Sequence, residues 1–196
     1  MLRKPRHATG GGPLRWALIA VLGAACLAAL VWAVVRPQPA SMADQRQAAV
    51  AFRTGAVQRL IDEAGAVVVD EIKPSLPDLV YGKLAPEQFQ NYSVGWRASL
   101  DRARRRFDTC QAPSRLRPAA TLYDTALRQY VDAVDAFAAA SRRPAPEISS
   151  GVSAGAHVAE KADATWDRAG RLVSAELKRV GAPDPPPKRV GGAVSC

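Results

Sequence analysis

The sequence predicts an all-α chain: a single N-terminal transmembrane helix followed by an extracytoplasmic up-down-up-down four-helix bundle. Three observations carry that prediction. Residues 16–35, WALIAVLGAACLAALVWAVV, hold no charge over twenty positions, enough to cross a hydrocarbon core of roughly 30 Å as a helix. Downstream, four stretches repeat apolar residues at spacings of three and four, the period of a helix with one buried face. Alanine is abundant and aromatics make up 6% of the chain, a balance that favours helices over sheets.

The formal charge of +9 is unevenly placed. Arg3, Lys4, Arg6, Arg15 and Arg36 fall within residues 1–36, which contain no acid; the remaining 22 basic and 18 acidic residues leave +4. About half of the excess therefore flanks the apolar segment, and nucleic acid is not an expected partner. An excess of Lys and Arg marks the cytoplasmic side of a span. Residues 1–15 thus read as a basic cytoplasmic tail, 16–35 as a signal-anchor in the cell membrane, and everything after Arg36 as outside. Trp16 and Trp32 stand near the two ends, where an interfacial aromatic belt belongs. A cleaved signal peptide has an apolar region of only about 7–15 residues; "SMA" before Asp44 is the cleavage site that this rival reading would use. Cys26 reads as a small apolar residue within the span rather than a lipoprotein attachment point. Ala20, Ala24 and Ala28 have the spacing that lets two membrane helices approach. Arginine far outnumbers lysine, a bias associated with GC-rich bacterial genomes.

Pro37 and Pro39 make 36–40 a short stiff spacer. The bundle is expected over 41–181. Its first helix runs from about Ser41, where Ser41 and Asp44 form a capping-box pattern with Asp in place of Glu, to Ile72. Val50, Val57, Ile61, Ala64, Val68 and Ile72 form its stripe. The prolines and glycine of KPSLPDLVYGKLAP read as a connection. Leu76, Leu79, Val80 and Tyr81 within it read either as a lid on the core or as a contact loop for a partner protein of the cell envelope.

The second helix starts at Pro86, a residue suited to a first turn, and carries Phe89, Ser93, Trp96, Leu100, Ala103, Phe107 and Cys110. The third carries Tyr123, Leu127, Tyr130, Val134, Phe137 and Ser141. The fourth carries Ile148, Val152, Gly155, Ala159, Ala162, Trp166, Ala169, Val173 and Leu177, and Gly181 is its expected stop. Residues 182–196 are a Pro/Gly-rich tail ending in Cys196.

An up-down-up-down path returns Cys110 and the start of that tail to one end of the bundle. Fifteen extended residues reach roughly 45 Å, so a Cys110–Cys196 disulfide is expected outside the cell, where thiols oxidise. An intermolecular bond through Cys196 is the alternative. The same path gathers Arg102, Arg104, Arg105, Arg106, Arg115, Arg117, Lys178 and Arg179 into a membrane-proximal basic patch, with Lys188 and Arg189 in the tail. It places Asp62, Glu63, Asp70, Glu71, Asp78 and Glu87 at the far end. Such cations either offset helix dipoles at C-termini or rest on anionic lipid headgroups. Asp101 and Arg105 have the spacing of a helical ion pair.

No catalytic constellation emerges. GVSAG, residues 151–155, matches the nucleophile-elbow pattern around Ser153, but that pattern needs a strand before the serine and an acid and a histidine later in the chain. Close helix packing at small residues is the better account. His157 with Glu160 lacks the further inward ligands of a bundle metal site. Asp132 and Asp135 lie one turn apart and read as solvated. Asn91-Tyr92-Ser93 matches a glycosylation triplet inside a helix. No cofactor or metal is expected. The reading is a non-enzymatic, membrane-anchored helical bundle acting through protein or envelope contacts. Its alternative is a ligand-binding or sensory module with a site between the helices near Trp96, Tyr130 and Trp166.

Overall fold

The computed structural model describes residues 40–108 and 112–184. The tail 1–15, the segment 16–35 with Cys26, most of the 36–40 spacer, Cys110, and residues 185–196 with Lys188, Arg189 and Cys196 lie outside the described residues. Among the described residues all regular structure is helical and there is no strand. Four helices make a bundle: α1 over 42–80, α2 Pro86–Asp108, α3 Arg117–Ser141 and α4 Ala145–Arg179, with a short 3₁₀ turn Ser114–Leu116 leading into α3. No helix among the described residues is long and apolar enough to cross a membrane.

The start of α1 is fixed by a reciprocal cap. Ser41 Oγ accepts from the Asp44 amide at 3.1 Å, and Asp44 Oδ2 accepts from the Ser41 amide at 3.1 Å. Two of the helix's orphan donors are thereby satisfied. Gly82 (φ 69°) and Gly181 (φ 65°) end α1 and α4. Each adopts the left-handed conformation that turns the chain out of a helix without a Cβ penalty.

Two features of α1 depart from the sequence reading. First, Phe52–Val57, Ile61–Gly65 and Val67–Ile72 are π-helical; the Gln58 amide bonds to the Arg53 carbonyl and the Lys73 amide to the Val68 carbonyl. Arg53, Val57, Ile61, Gly65, Val68, Ile72 and Leu76 are all buried, at steps of four with a single three. That is about 3.8 residues per turn, more than the 3.6 of an α-helix. Wider turns keep these positions on one face. Ala49 and Phe52 occupy the buried positions near the start, and Val50 is only half-buried.

Second, Lys73–Val80 is not a connection but the last two turns of α1. Pro74 sits in the first turn after the π-helical stretch, and Pro77 lies inside the helix. An interior proline costs about 3 kcal/mol. Leu76 (5% exposed) and Leu79 (2%) each return about 1.5–3 kcal/mol on burial, which offsets that cost. Ser75 Oγ also donates to the Glu71 carbonyl at 2.7 Å.

Consecutive helices run antiparallel. In α1 and α2, Phe52 meets Phe107 while Glu71 meets Trp96. In α2 and α3, Arg104 meets Asp124 while Arg97 meets Asp135. At the end of α4, Arg179 returns to the first turn of α1, donating to Gln45 Oε1 at 2.6 Å. A chain of ring contacts crosses all four helices through Phe52, Phe107, Tyr123 and Trp166, at centroid separations of 6.1, 5.8 and 4.9 Å. Separations of this kind suit edge-to-face aromatic pairs.

Helices α3 and α4 pack closely along two glycines. A Cβ built on Gly155 would stand 2.5 Å from the Phe137 ring, and one on Gly151 would stand 2.7 Å from Ala140 Cβ. These are the glycines of GVSAG. They are a packing seam, and Ser153 is exposed within the helix. Gly155→Ala should destabilise the bundle by about 1–3 kcal/mol from overpacking, despite a helix-propensity gain of about 0.5–1 kcal/mol. Gly95→Ala, where nothing lies within 4 Å, should show that gain alone. Urea unfolding of the two variants checks both signs.

Candidate functional site

Two places concentrate chemistry. One is the end of the bundle formed by the start of α1, the end of α2, the start of α3 and the end of α4. The other is a crevice between α1, α3 and α4.

At the bundle end the predicted basic residues separate into two groups. Arg104 Nε bonds to Asp124 Oδ1 at 2.7 Å and Arg106 to Glu63 Oε1 at 2.7 Å. Arg179 holds Glu176 at 2.7 Å together with Gln45. The Arg179 hydrogen bond keeps the Glu176 carboxyl below its usual range. These three arginines clasp helices to one another. Arg102, Arg105, Arg115, Arg117 and Lys178 are exposed and form no ion pair among the described residues. The expected Asp101–Arg105 pair is not among the ion pairs of the described residues. Arg46, in the second turn of α1, is exposed at the same end and was not anticipated. Met42 is 54% exposed in the first turn, beside Arg179.

The expected separation of charge is corrected by these contacts. Glu63 pairs with Arg106 instead of joining a far acidic end. Asp124 and Glu176 lie among the cations. Arg142 and Arg143 follow α3 at the other end, beside the start of α4. Antiparallel register brings each acid to a partner that its own helix cannot reveal.

The crevice is lined by Val68, Ile72, Leu76, Val134, Phe137 and Ala159, with Lys73, Tyr130 and Asp163 as its polar members. It has room for about one water molecule. Tyr130 Oη donates to Asp163 Oδ1. Burial, and then the charge of Asp163, push the Tyr130 hydroxyl well above its usual range. Burial raises the Asp163 carboxyl; the Tyr130 hydrogen bond and Lys73 pull it back, while Asp167 and Glu160 raise it further. Tyr130 sat on the predicted stripe of α3, and a buried phenol needs a hydrogen-bond partner. That need was the available signal for Asp163, which follows Ala162 of the α4 stripe.

The three aromatic residues predicted to flank a ligand are core. Trp96 is 4% exposed and donates Nε1 to Glu71 Oε2 at 2.8 Å. Trp166 packs edge-on against Tyr123 at 4.9 Å and against Tyr130 at 6.4 Å. Tyr123 is buried, which pushes its hydroxyl up to about 12, with Arg53 acting in the opposite sense. Arg53 is itself buried, and its guanidinium donates to Gln58 Oε1 at 3.3 Å. Of the predicted contact stretch, Leu76 and Leu79 are buried, Val80 is half-buried against the core, and Tyr81 is 75% exposed in the turn after α1.

The remaining motifs are ordinary surface features. His157 Nδ1 lies 3.2 Å from Glu160 Oε2 on an exposed face. No cluster of three metal-ligating residues occurs among the described residues. Asp135 pairs with Arg97 at 2.8 Å. Ser93, of the glycosylation triplet, is buried and donates to the Gln90 carbonyl.

No protein-family model matches the chain, no curated protein matches it significantly, and no solved structure does.

The Asp163 carboxyl generates a pH prediction. Its raised proton affinity means that the folded state holds this proton more tightly than the unfolded chain. The resulting stability is complete below the ordinary carboxylate range and is lost as pH rises through the folded value. Relative to Asp163→Asn, the wild-type unfolding free energy should therefore fall as pH rises above the ordinary carboxylate value of about 4. Urea titrations at several pH values measure this difference, and a rise would contradict the assignment.

Proposed function

We propose that residues 41–181 form the outward-facing part of a single-pass membrane protein, a non-enzymatic bundle that acts by contacting other proteins or the envelope. In this reading residues 16–35 are the span, 1–15 face the cytoplasm, and a Cys110–Cys196 disulfide ties the tail to the end of the bundle from which α3 departs. The observation that carries the reading is the filled interior. Aromatic rings join all four helices, and the α3–α4 seam admits no added Cβ at Gly155. A core packed in this way supports a module that acts through its outer surface. The turn after α1 offers one such surface, with Tyr81 projecting from it and Leu79 anchoring it below.

A second reading, a ligand-binding module with its site between helices, is favoured by one observation: the Tyr130–Asp163–Lys73 group lines a crevice rather than a sealed core.

Leu79→Ser should cost roughly 2–5 kcal/mol of stability, whereas Tyr81→Ser should stay within about 0.5 kcal/mol. In intact cells, a photo-crosslinker at residue 83 should capture a protein partner, and Tyr81→Ser should abolish that capture. Capture unaffected by Tyr81→Ser would remove this turn as the contact. Peptide mapping without reductant should recover Cys110 linked to Cys196; a Cys196–Cys196 link or two free thiols would overturn the internal bond.

A further inference from the structure

We propose that the basic end of the bundle is a docking face for anionic phospholipid headgroups; the proposal rests on the anchored reading above. Three stretches of chain supply its cations: Arg102 and Arg105 from the end of α2, Arg115 and Arg117 from the turn into α3, and Lys178 from the end of α4. All five are exposed and form no ion pair among the described residues. Arg46 of α1 adds a sixth exposed cation at this end. These are the charges left over after Arg104, Arg106 and Arg179 have been used to clasp helices together.

The local acids do not cancel them. Asp44 is held by Ser41 in the cap, Asp124 by Arg104 and Arg128, and Glu176 by Arg179, with Arg115 attracting Glu176 at longer range. Asp101 is half-buried and Asp184 exposed. Two helices start and two finish at this end, so their dipoles offset one another and the side-chain cations set its sign. Met42, exposed beside Arg179, is an apolar side chain that a bilayer interface accepts.

Charge complementarity alone would suit any polyanion. The spacer selects the bilayer. A chain leaving a span at residue 35 has five residues before Ser41, a reach of at most about 18 Å, and Ser41 begins the basic end. Cations within a Debye length of an anionic leaflet are attracted to it. The docked bundle would then stand with α1 and α3 rising from the surface, the turn at Tyr81 pointing away from it.

The test uses the full chain in nanodiscs of phosphatidylglycerol or of phosphatidylcholine, read by amide hydrogen exchange. In phosphatidylglycerol discs, peptides covering 112–118 and 174–180 should exchange about tenfold more slowly than in phosphatidylcholine, and 0.5 M salt should erase the difference. The variant R102E/R105E/R115E/R117E/K178E should lose the protection, while R142E/R143E, at the opposite end, should retain it. Salt reversal in the wild-type chain keeps the test valid if the five-site variant misfolds. Equal exchange in the two lipids overturns the proposal, as does stronger protection of the same peptides by duplex DNA at equal phosphate. A chain that enters neither disc removes the anchor reading. Docking is then read with the same chain added to phosphatidylglycerol vesicles, where salt-sensitive binding supports it and no binding at low salt overturns it.

Discussion

The α3–α4 seam is the constraint on which the rest of the bundle depends. Gly151 and Gly155 let the two axes close until Ala140 and the Phe137 ring fill the space where side chains would stand. That approach fixes the register of the pair. Once Gly155 lies against Phe137, Tyr130 falls opposite Asp163 and Tyr123 opposite Trp166. A phenol and a carboxylate buried at a seam demand one another, because either alone would cost the desolvation of an unpaired polar group. The glycines thus decide which polar pair is formed, two turns away from where they sit.

The remaining helices adapt to this pair. Helix α1 packs along α2 and α4 over a long path, and its buried residues recur at a spacing wider than an α-helix provides. Its π-helical turns absorb the mismatch, a role typical of such segments at the cost of poorer local geometry. Its far end continues as a helix through two prolines because Leu76 and Leu79 hide more apolar surface than the lost backbone bond is worth. The crevice lies along this same stretch, where α1 crosses the seam beside Lys73. Looser packing there follows from laying a helix of uneven pitch over two regular ones.

Local chemistry was legible in the sequence and cross-helix chemistry was not. The Ser41–Asp44 cap, the first-turn Pro86 and the stop at Gly181 need only neighbouring residues to be understood, and all three stand where the pattern put them. The stripes of α2 from Phe89 to Phe107, of α3, and of α4 apart from the half-buried Ala159 also survive, since each tracks a single 3.6 period. By contrast, Pro74 and Pro77 read as breakers because propensity is local, while the burial that overrides them is tertiary. Arg106 with Glu63, Arg104 with Asp124, and Tyr130 with Asp163 span 20 to 43 residues. Their pairing depends on antiparallel register, which the stripes do not specify to within one turn.

That distinction also bears on how surface charge acquires a role. On an isolated α2 the run from Arg102 to Arg106 is one undifferentiated block. Folding sorts it by direction: Arg104 faces α3, Arg106 faces α1, and Arg102 with Arg105 face neither. Arg106 stabilises the bundle modestly, because an exposed ion pair contributes at most about 1 kcal/mol, while the Arg104–Asp124 pair is partly buried. The other two make no ion pair among the described residues; Arg105, in the last turn of α2, offsets the helix dipole, while mutual repulsion among the cations opposes the fold slightly. The exposed cations at the same end on α1, the α3 turn and α4 make no ion pair among the described residues, so their contribution to the fold is limited to longer-range effects such as the dipole of the α4 C-terminus beside Lys178.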